Sequence, residues 1–444
     1  MLESVLLILV AVWLLVLLSQ NRRNKNFPPG PRTIPFIGNL LELNLENPTV
    51  DLDRLTKRYD GAPGVILSDY TSGWREHRRF GLMTLRNFGL AKNSMEKRIL
   101  RETQYVIKIM EQSQGKPMDP YQLFHKVTSN VMCQILFSQR FEYEDEPINF
   151  FLAFFHEVNK AINGRWGLIY DCVPLVRYLP LPFQKIFKNV KAAHERYLKA
   201  VVENNKTRIP GQPRHFIDCY LDELDKRGGD GSSFSEKQLR AFLLDLHAAG
   251  SDTTANTLLF GFLYLTAYPQ MQERCQEEID KVLDGKDQAS FEDRDQMPYV
   301  QAVLHEIQRV GNIAPLGVFH CATRDSELMG YSIPKGTIVI PNLHSVLSEE
   351  GQWKYPHEFN PENFLNEMGE FVKPEAFIPF SLGPRMCLGE NLARMELFLI
   401  MVTLLRRFKF IWPEDAGEPD FAPVFGGVQT PKPYFMNVIL REKF

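Results

Sequence analysis

The chain has 444 residues, 44% hydrophobic and 24% charged, with a formal net charge of −3. That is an ordinary globular composition with ample core, and the near-balanced charge excludes an electrostatic case for nucleic acid as partner. Six scattered cysteines without a C-x-x-C pair exclude a zinc ribbon or disulfide scaffold and suit a reducing compartment.

In chain order, the first signal is an unbroken apolar run from Val5 to Leu18. At about 1.5 Å per residue it barely spans a hydrocarbon core, so membrane helix and signal peptide compete. Charge placement decides, because Arg22, Arg23 and Lys25 follow the run instead of preceding it. The expectation is an uncleaved membrane anchor over 1–20, with the rest of the chain on the cytoplasmic side. A basic, Pro-rich linker over 21–38 follows, stiffened at Phe27-Pro28-Pro29-Gly30-Pro31. Residues 39–444 then form one body. Helical patterning dominates from Trp74 to about Phe408, and the clearest strand-like patches are Thr337–Ile340 and Tyr434–Leu440. The fold class is therefore mainly α with small β-sheets.

Trp74 and Arg78, four apart, share one helical face. From Ser235, where Ser-Glu-Lys-Gln reads as a capping box, to Tyr268 before Pro269, one long helix of roughly 50 Å is predicted. It is apolar nearly all round, so it crosses the core. Polar residues interrupt it only mid-way, at His247 and Ser251-Asp252-Thr253-Thr254. Ala248-Ala249-Gly250 leaves room for a ligand, and Asp252 with Thr253 offers an acid–alcohol proton relay. The alternative is a helix distorted by a threonine hydroxyl bonding back to a carbonyl. Asp245, nearly two turns before Asp252, either faces a substrate or caps backbone. Glu306 and Arg309 lie three apart on a partly apolar helix, where their charges meet.

Near the C-terminus stands Phe380-Ser381-Leu382-Gly383-Pro384-Arg385-Met386-Cys387-Leu388-Gly389, an F-x-x-G-x-R-x-C-x-G frame. Helical composition follows, so Cys387 lies near a helix N-terminus, which favours a thiolate and lowers its pKa. Gly383 and Gly389 allow a tight turn and close approach of a flat ligand. Arg385 supplies positive charge to the sulfur or to a carboxylate on a cofactor.

This window resembles the haem-binding loop of the haem-thiolate monooxygenases, the cytochrome P-450 superfamily. Ala249-Gly250-Ser251-Asp252-Thr253-Thr254 matches the family's A-G-x-[DE]-T-T motif, Glu306-Ile307-Gln308-Arg309 its E-x-x-R, and Trp74-x-x-x-Arg78 its W-x-x-x-R. The likeness runs from Pro28 to the C-terminus and is nearest to vertebrate microsomal family-two members. It implies haem b with Cys387 as metal ligand and Phe380, Arg385 and Gly389 in the binding loop. Trp74, Arg78 and His320 would meet the haem propionates. Thr253 and Asp252 would be catalytic, and Glu306 and Arg309 structural. The resemblance also implies lipophilic substrates such as xenobiotics, fatty acids or steroids. Electrons would come from NADPH through a separate flavoprotein reductase, with cytochrome b5 as a second donor, at the endoplasmic reticulum membrane. No nucleotide fingerprint is present to replace that reductase. Arg394, Arg406 and Arg407 are candidate docking residues, set against ordinary solvated charge.

Two departures stand out. Asn363 occupies the place of an arginine that would complete the Glu306–Arg309 network; an amide still hydrogen-bonds, but the charge network is expected to be weaker than the family pattern or completed by another residue. Between Tyr59 and Trp74 only Asp60 to Gly73 remains where the family carries several tens of residues. The seam near Asp60–Pro63 reads as an internal deletion that leaves sheet edges unpaired and the pocket open on one side. A catalytically impaired or haem-free isoform is therefore an alternative, and a peroxide-rearranging isomerase a weaker one.

Overall fold

The computed structural model describes residues 64–66, 68–87, 93–163, 184–228 and 233–442. The expected anchor, the linker and the seam at Asp60–Pro63 lie outside them. Among the described residues, no helix is long and apolar enough to cross a membrane. Two compact units result, one of Gly61–Ile162, Pro182–Gly317 and Asn342–Phe444, the other represented by Val318–Pro341.

The larger unit is helical: α1 (Ser72–Leu85), α2 (Asn93–Gln112), α3 (Tyr121–Phe137), α4 (Glu146–Asn163), α5 (Gln184–Thr207), α6 (Phe216–Arg227), α7 (Glu236–Ala267), α8 (Pro269–Val282), α9 (Pro298–Gly311), α10 (Leu343–Ser348) and α11 (Glu390–Arg407). Its axis is α7. The Ser235 hydroxyl caps it by accepting from the Gln238 N–H at 3.1 Å, and Pro269 opens α8 immediately beyond its end. Every residue from Thr254 to Thr266 is buried. A helix apolar all round needs partners on all sides, and α3, α5, α9 and α11 supply them. Gly250 sets the closest approach: a Cβ there would lie 2.4 Å from the Met132 Sδ on α3.

The sheets are small, as expected. In the second unit β1 (His320–Cys321) pairs antiparallel with β4 (Ile338–Val339), and β2 (Ser326–Leu328) with β3 (Tyr331–Ile333). In the larger unit β5 (Phe408–Ile411) pairs with β8 (Asn437–Leu440), Phe408 opposite Leu440, and β6 (Pro423–Val424) with β7 (Thr430–Pro431). Phe408 and Phe410 alternate inward on β5, the period of a half-buried strand.

Candidate haem-thiolate site

The loop before α11 closes on itself. The Cys387 N–H donates to the Phe380 carbonyl at 2.9 Å, and Gly389 is the N-cap of α11. Gly383 takes the left-handed region at φ 74°, as a tight turn requires, and so does Ser381 at φ 62°, which the sequence did not announce. Gly389 has an ordinary φ of −96°, and a Cβ there would meet the Cys387 sulfur at 4.0 Å, an ordinary contact, so neither its backbone conformation nor crowding within the protein calls for glycine. Backbone N–H groups of Gly389 and Glu390 reach that sulfur.

Cys387 keeps exposed surface although protein surrounds it. Contrary to expectation its thiol pKa is raised, because desolvation outweighs the N–H groups and the Arg78 charge that act to lower it. Among the described residues no three His, Cys, Asp or Glu side chains converge on a metal site.

Residues three hundred positions apart meet beside this loop. Trp74 is buried, with the Arg385 guanidinium 4.0 Å and that of Arg78 5.5 Å from its ring. Arg78 donates to the Met386 carbonyl. The Trp74 indole N–H donates to the Val65 carbonyl at 3.0 Å, and Arg385 donates to the carbonyls of Ser68 and Val65. An arginine has five N–H donors, more than these contacts engage. Two guanidinium groups and an indole N–H thus gather near an accessible thiol with N–H groups at its sulfur, a donor set that fits a haem. One feature crowds the carboxylate end, where the donors already serve backbone oxygens of the segment after the seam. Phe380 is half-buried, with the Arg394 guanidinium 5.1 Å from its ring. His320 lies in β1 opposite Val339, in the other unit.

The segment Gly64–Ile66 is tied to α7. Asp245 accepts from the N–H groups of Val65 at 2.6 Å and Ile66 at 3.0 Å, and Gln238 both accepts from and donates to the Gly64 backbone. Asp245 therefore caps backbone. Burial pushes its carboxyl pKa up to about 6 against the pull of the two N–H groups. Further along α7, the Thr253 hydroxyl donates back to the Ala249 carbonyl at 2.6 Å, the back-bond of the alternative reading, within a helix that runs unbroken from Glu236 to Ala267. A hydroxyl also has lone pairs to accept with, so this bond leaves it able to receive a proton donor. Asp252 is buried and meets His125 of α3 and Asn256, each at 3.2 Å.

Glu306 and Arg309 are buried and joined by two parallel bonds of 2.7 Å. Arg309 also donates to the carbonyls of Leu347, Tyr355, Pro356 and Glu358. Asn363 completes the network: its amide donates to Glu306 at 3.2 Å and to the Tyr355 carbonyl at 3.1 Å, and accepts from the Tyr355 N–H at 2.9 Å. The three candidate docking arginines are engaged within the protein. Arg394 bonds Glu390 and His305, Arg407 bonds Glu111, and Arg406 donates to the Leu283 and Lys286 carbonyls just past α8.

The sequence profile of the family described as Cytochrome P-450 matches residues 60–438. Among curated proteins the chain is similar to Cytochrome P-450 2D15 of Canis lupus familiaris, 36% identical over 98% of this chain and 97% of that protein. It is also similar to Cytochrome P-450 2J1 of Oryctolagus cuniculus, 38% identical over 93% and 91%, and to Vitamin D(3) 25-hydroxylase of Sus scrofa, 36% identical over 99% and 98%. The 2D15 alignment runs over 486 residues against a chain of 444, so several tens of that relative's positions have no counterpart here.

Proposed function

The chain belongs to the cytochrome P-450 family, a monooxygenase family, and from that premise we propose that the Cys387 thiolate would hold the iron of a haem b. The haem, when bound, supplies the iron chemistry by which one atom of dioxygen enters a C–H or C=C bond and the other leaves as water. The protein's share is positioning and proton handling. The N–H groups of Gly389 and Glu390 and the charge of Arg78 stabilise negative charge on the sulfur. Arg78 and Arg385, which keep N–H donors to spare, would hold the cofactor's carboxylates, with the Trp74 ring beside both guanidinium groups. Thr253 presents a hydroxyl from α7, Asp252 holds protons behind it, and the apolar flanks of α7 exclude bulk water. Substrates are lipophilic, a reading supported by a relative named for the 25-hydroxylation of vitamin D(3). Electrons come from NADPH through a membrane-bound flavoprotein reductase, with the catalytic body on the cytoplasmic side of the endoplasmic reticulum and residues 1–20 as anchor.

The observation that carries this reading is the convergence of Trp74, Arg78 and Arg385 on the Cys387 loop. Its test is the absorption spectrum of the reduced, carbon monoxide-bound protein. A strongly red-shifted Soret band that Cys387→Ser abolishes is expected; a band at the position given by a neutral ligand would refute thiolate ligation.

A second reading has its own observation. Trp74 and Arg385 donate to the carbonyls of Val65 and Ser68, so the segment following the seam competes for groups that would hold haem carboxylates. On this reading the shortened chain binds haem weakly. Haem retention is then compared with that of a protein carrying the family-length segment between Asp60 and Gly64. Equal retention removes the impaired-isoform reading.

A further inference from the structure

Asp252 does not stand alone on α7. Its Oδ1 lies 3.2 Å from Nε2 of His125, and both side chains are buried. The other ring nitrogen, Nδ1, is 2.8 Å from the Tyr121 carbonyl oxygen. A carbonyl only accepts, so Nδ1 carries a proton. A neutral ring would then turn a bare lone pair at Nε2 toward an ionised carboxylate, two acceptors at hydrogen-bond distance. The contact is satisfied only with one proton between them. The pair is either an imidazolium against a carboxylate or an imidazole against a carboxylic acid.

We propose that His125 and Asp252 jointly hold one transferable proton, and that His125 is the positioning residue that keeps it on Asp252, the residue next to Thr253 on α7. The catalytic use of that proton rests on the reading of Asp252 and Thr253 given above; its existence rests on the geometry alone. The transfer balances within the pair. The Nε2–H bond breaks as the Oδ1–H bond forms, imidazolium becomes imidazole, carboxylate becomes acid, and the summed charge stays zero.

The surroundings hold the pair in place. The Asn256 amide donates to Oδ1 of Asp252 at 3.2 Å and to its carbonyl at 2.9 Å. Thr128 donates to the Ser251 carbonyl at 2.9 Å, pinning α3 to α7 at this level. Of the titratable groups nearby, Tyr121 packs its ring 4.4 Å from that of His125. Burial, aided by the charges of Asp252 and Asp119, pushes its hydroxyl up to about 12, so it stays protonated. Lys126 follows His125 on α3, and His247 on α7 is held separately by Tyr197 and Ser129.

The test uses the full chain labelled with ¹⁵N-histidine and ¹³C-carboxyl aspartate, with His125→Asn and Asp252→Asn assigning the signals. At pH 7 one partner, and only one, carries the shared proton, and Asp252→Asn leaves His125 neutral with its proton on Nδ1. A neutral His125 beside an ionised Asp252, or a ring protonated at Nε2 with Nδ1 bare, would overturn the proposal. A second readout is peroxide released per NADPH consumed with the haem-loaded protein and its reductase. His125→Phe raises that fraction severalfold, as Asp252→Asn does. If Asp252→Asn alone raises it, the positioning role of His125 falls. If neither does, the proton-handling reading of α7 falls and takes that role with it, while the spectra still decide the shared proton.

Discussion

Replacing Asn363 with alanine isolates the residue that stands where the family pattern has an arginine. Three hydrogen bonds go, but their losses are unequal. Glu306 keeps Arg309 and the Asn360 N–H at 2.7 Å, and the Tyr355 carbonyl keeps Arg309 at 3.1 Å. The Tyr355 N–H alone is orphaned, having bonded Asn363 at 2.9 Å. An orphaned donor costs about 1–3 kcal/mol and a bond to a charged carboxylate about 1.5–3. Tyr355 is half-buried, so water recovers part of the first. The expected loss is about 3 kcal/mol, a fall of roughly 5 °C in melting temperature. Glu306→Ala should cost more, because it strands the Arg309 guanidinium in the core, worth about 3–5 kcal/mol by itself. Thermal melts followed by tryptophan fluorescence rank the two. An Asn363→Ala melt within about 1 °C of the parent, or a loss equal to that of Glu306→Ala, would refute the view that this amide completes the network.

Acid should destabilise the fold through His247 and His305, both brought down to about 3, chiefly by burial, with Arg394 adding to the effect at His305. A folded pKa below the unfolded 6.5 means that stability is intact above pH 6.5 and drains as the pH falls toward 3, by about 1.4 kcal/mol per pH unit for each histidine. Asp245, raised to about 6, works in the opposite sense, so the clean measure is a difference in slope. His247→Phe should flatten the pH dependence of the urea midpoint by one proton, and unchanged steepness would contradict the assignment. Gly250→Ala should destabilise by about 1–3 kcal/mol, since the new methyl meets Met132, and Met132→Ala in the same chain should recover part of the loss in a urea titration. Asp245→Ala should speed proteolytic cleavage near residues 61–70, because the Val65 and Ile66 N–H groups lose their acceptor; an unchanged digest would show that the segment is held by other means.

Local chemistry explains what was legible in the sequence. The cap at Ser235 and the stop at Pro269 bound α7 within a residue or two, because both act on the backbone beside them. Glu306 and Arg309 meet because three residues are one helical turn. What stayed hidden was contact across distance. His125 gives no sign in its own segment that it faces Asp252, 127 positions on. Asp245 admitted two roles until its N–H partners, 180 and 179 positions away, selected one. The Cys387 pKa was misjudged for a related reason: the helix N-terminus is visible in composition, but the crowding that opposes it comes from the tertiary fold.

The clasp of Gln238 and Asp245 on Gly64, Val65 and Ile66 works as a datum. Only a few residues separate it from α1, so the start of that helix is referenced to the central helix. The same clasp lies on the path from the central helix to the face of α1 that delivers Trp74 and Arg78 to the Cys387 loop. The placement of those two side chains is thereby set by side chains on the central helix more than 170 positions beyond the segment they clasp.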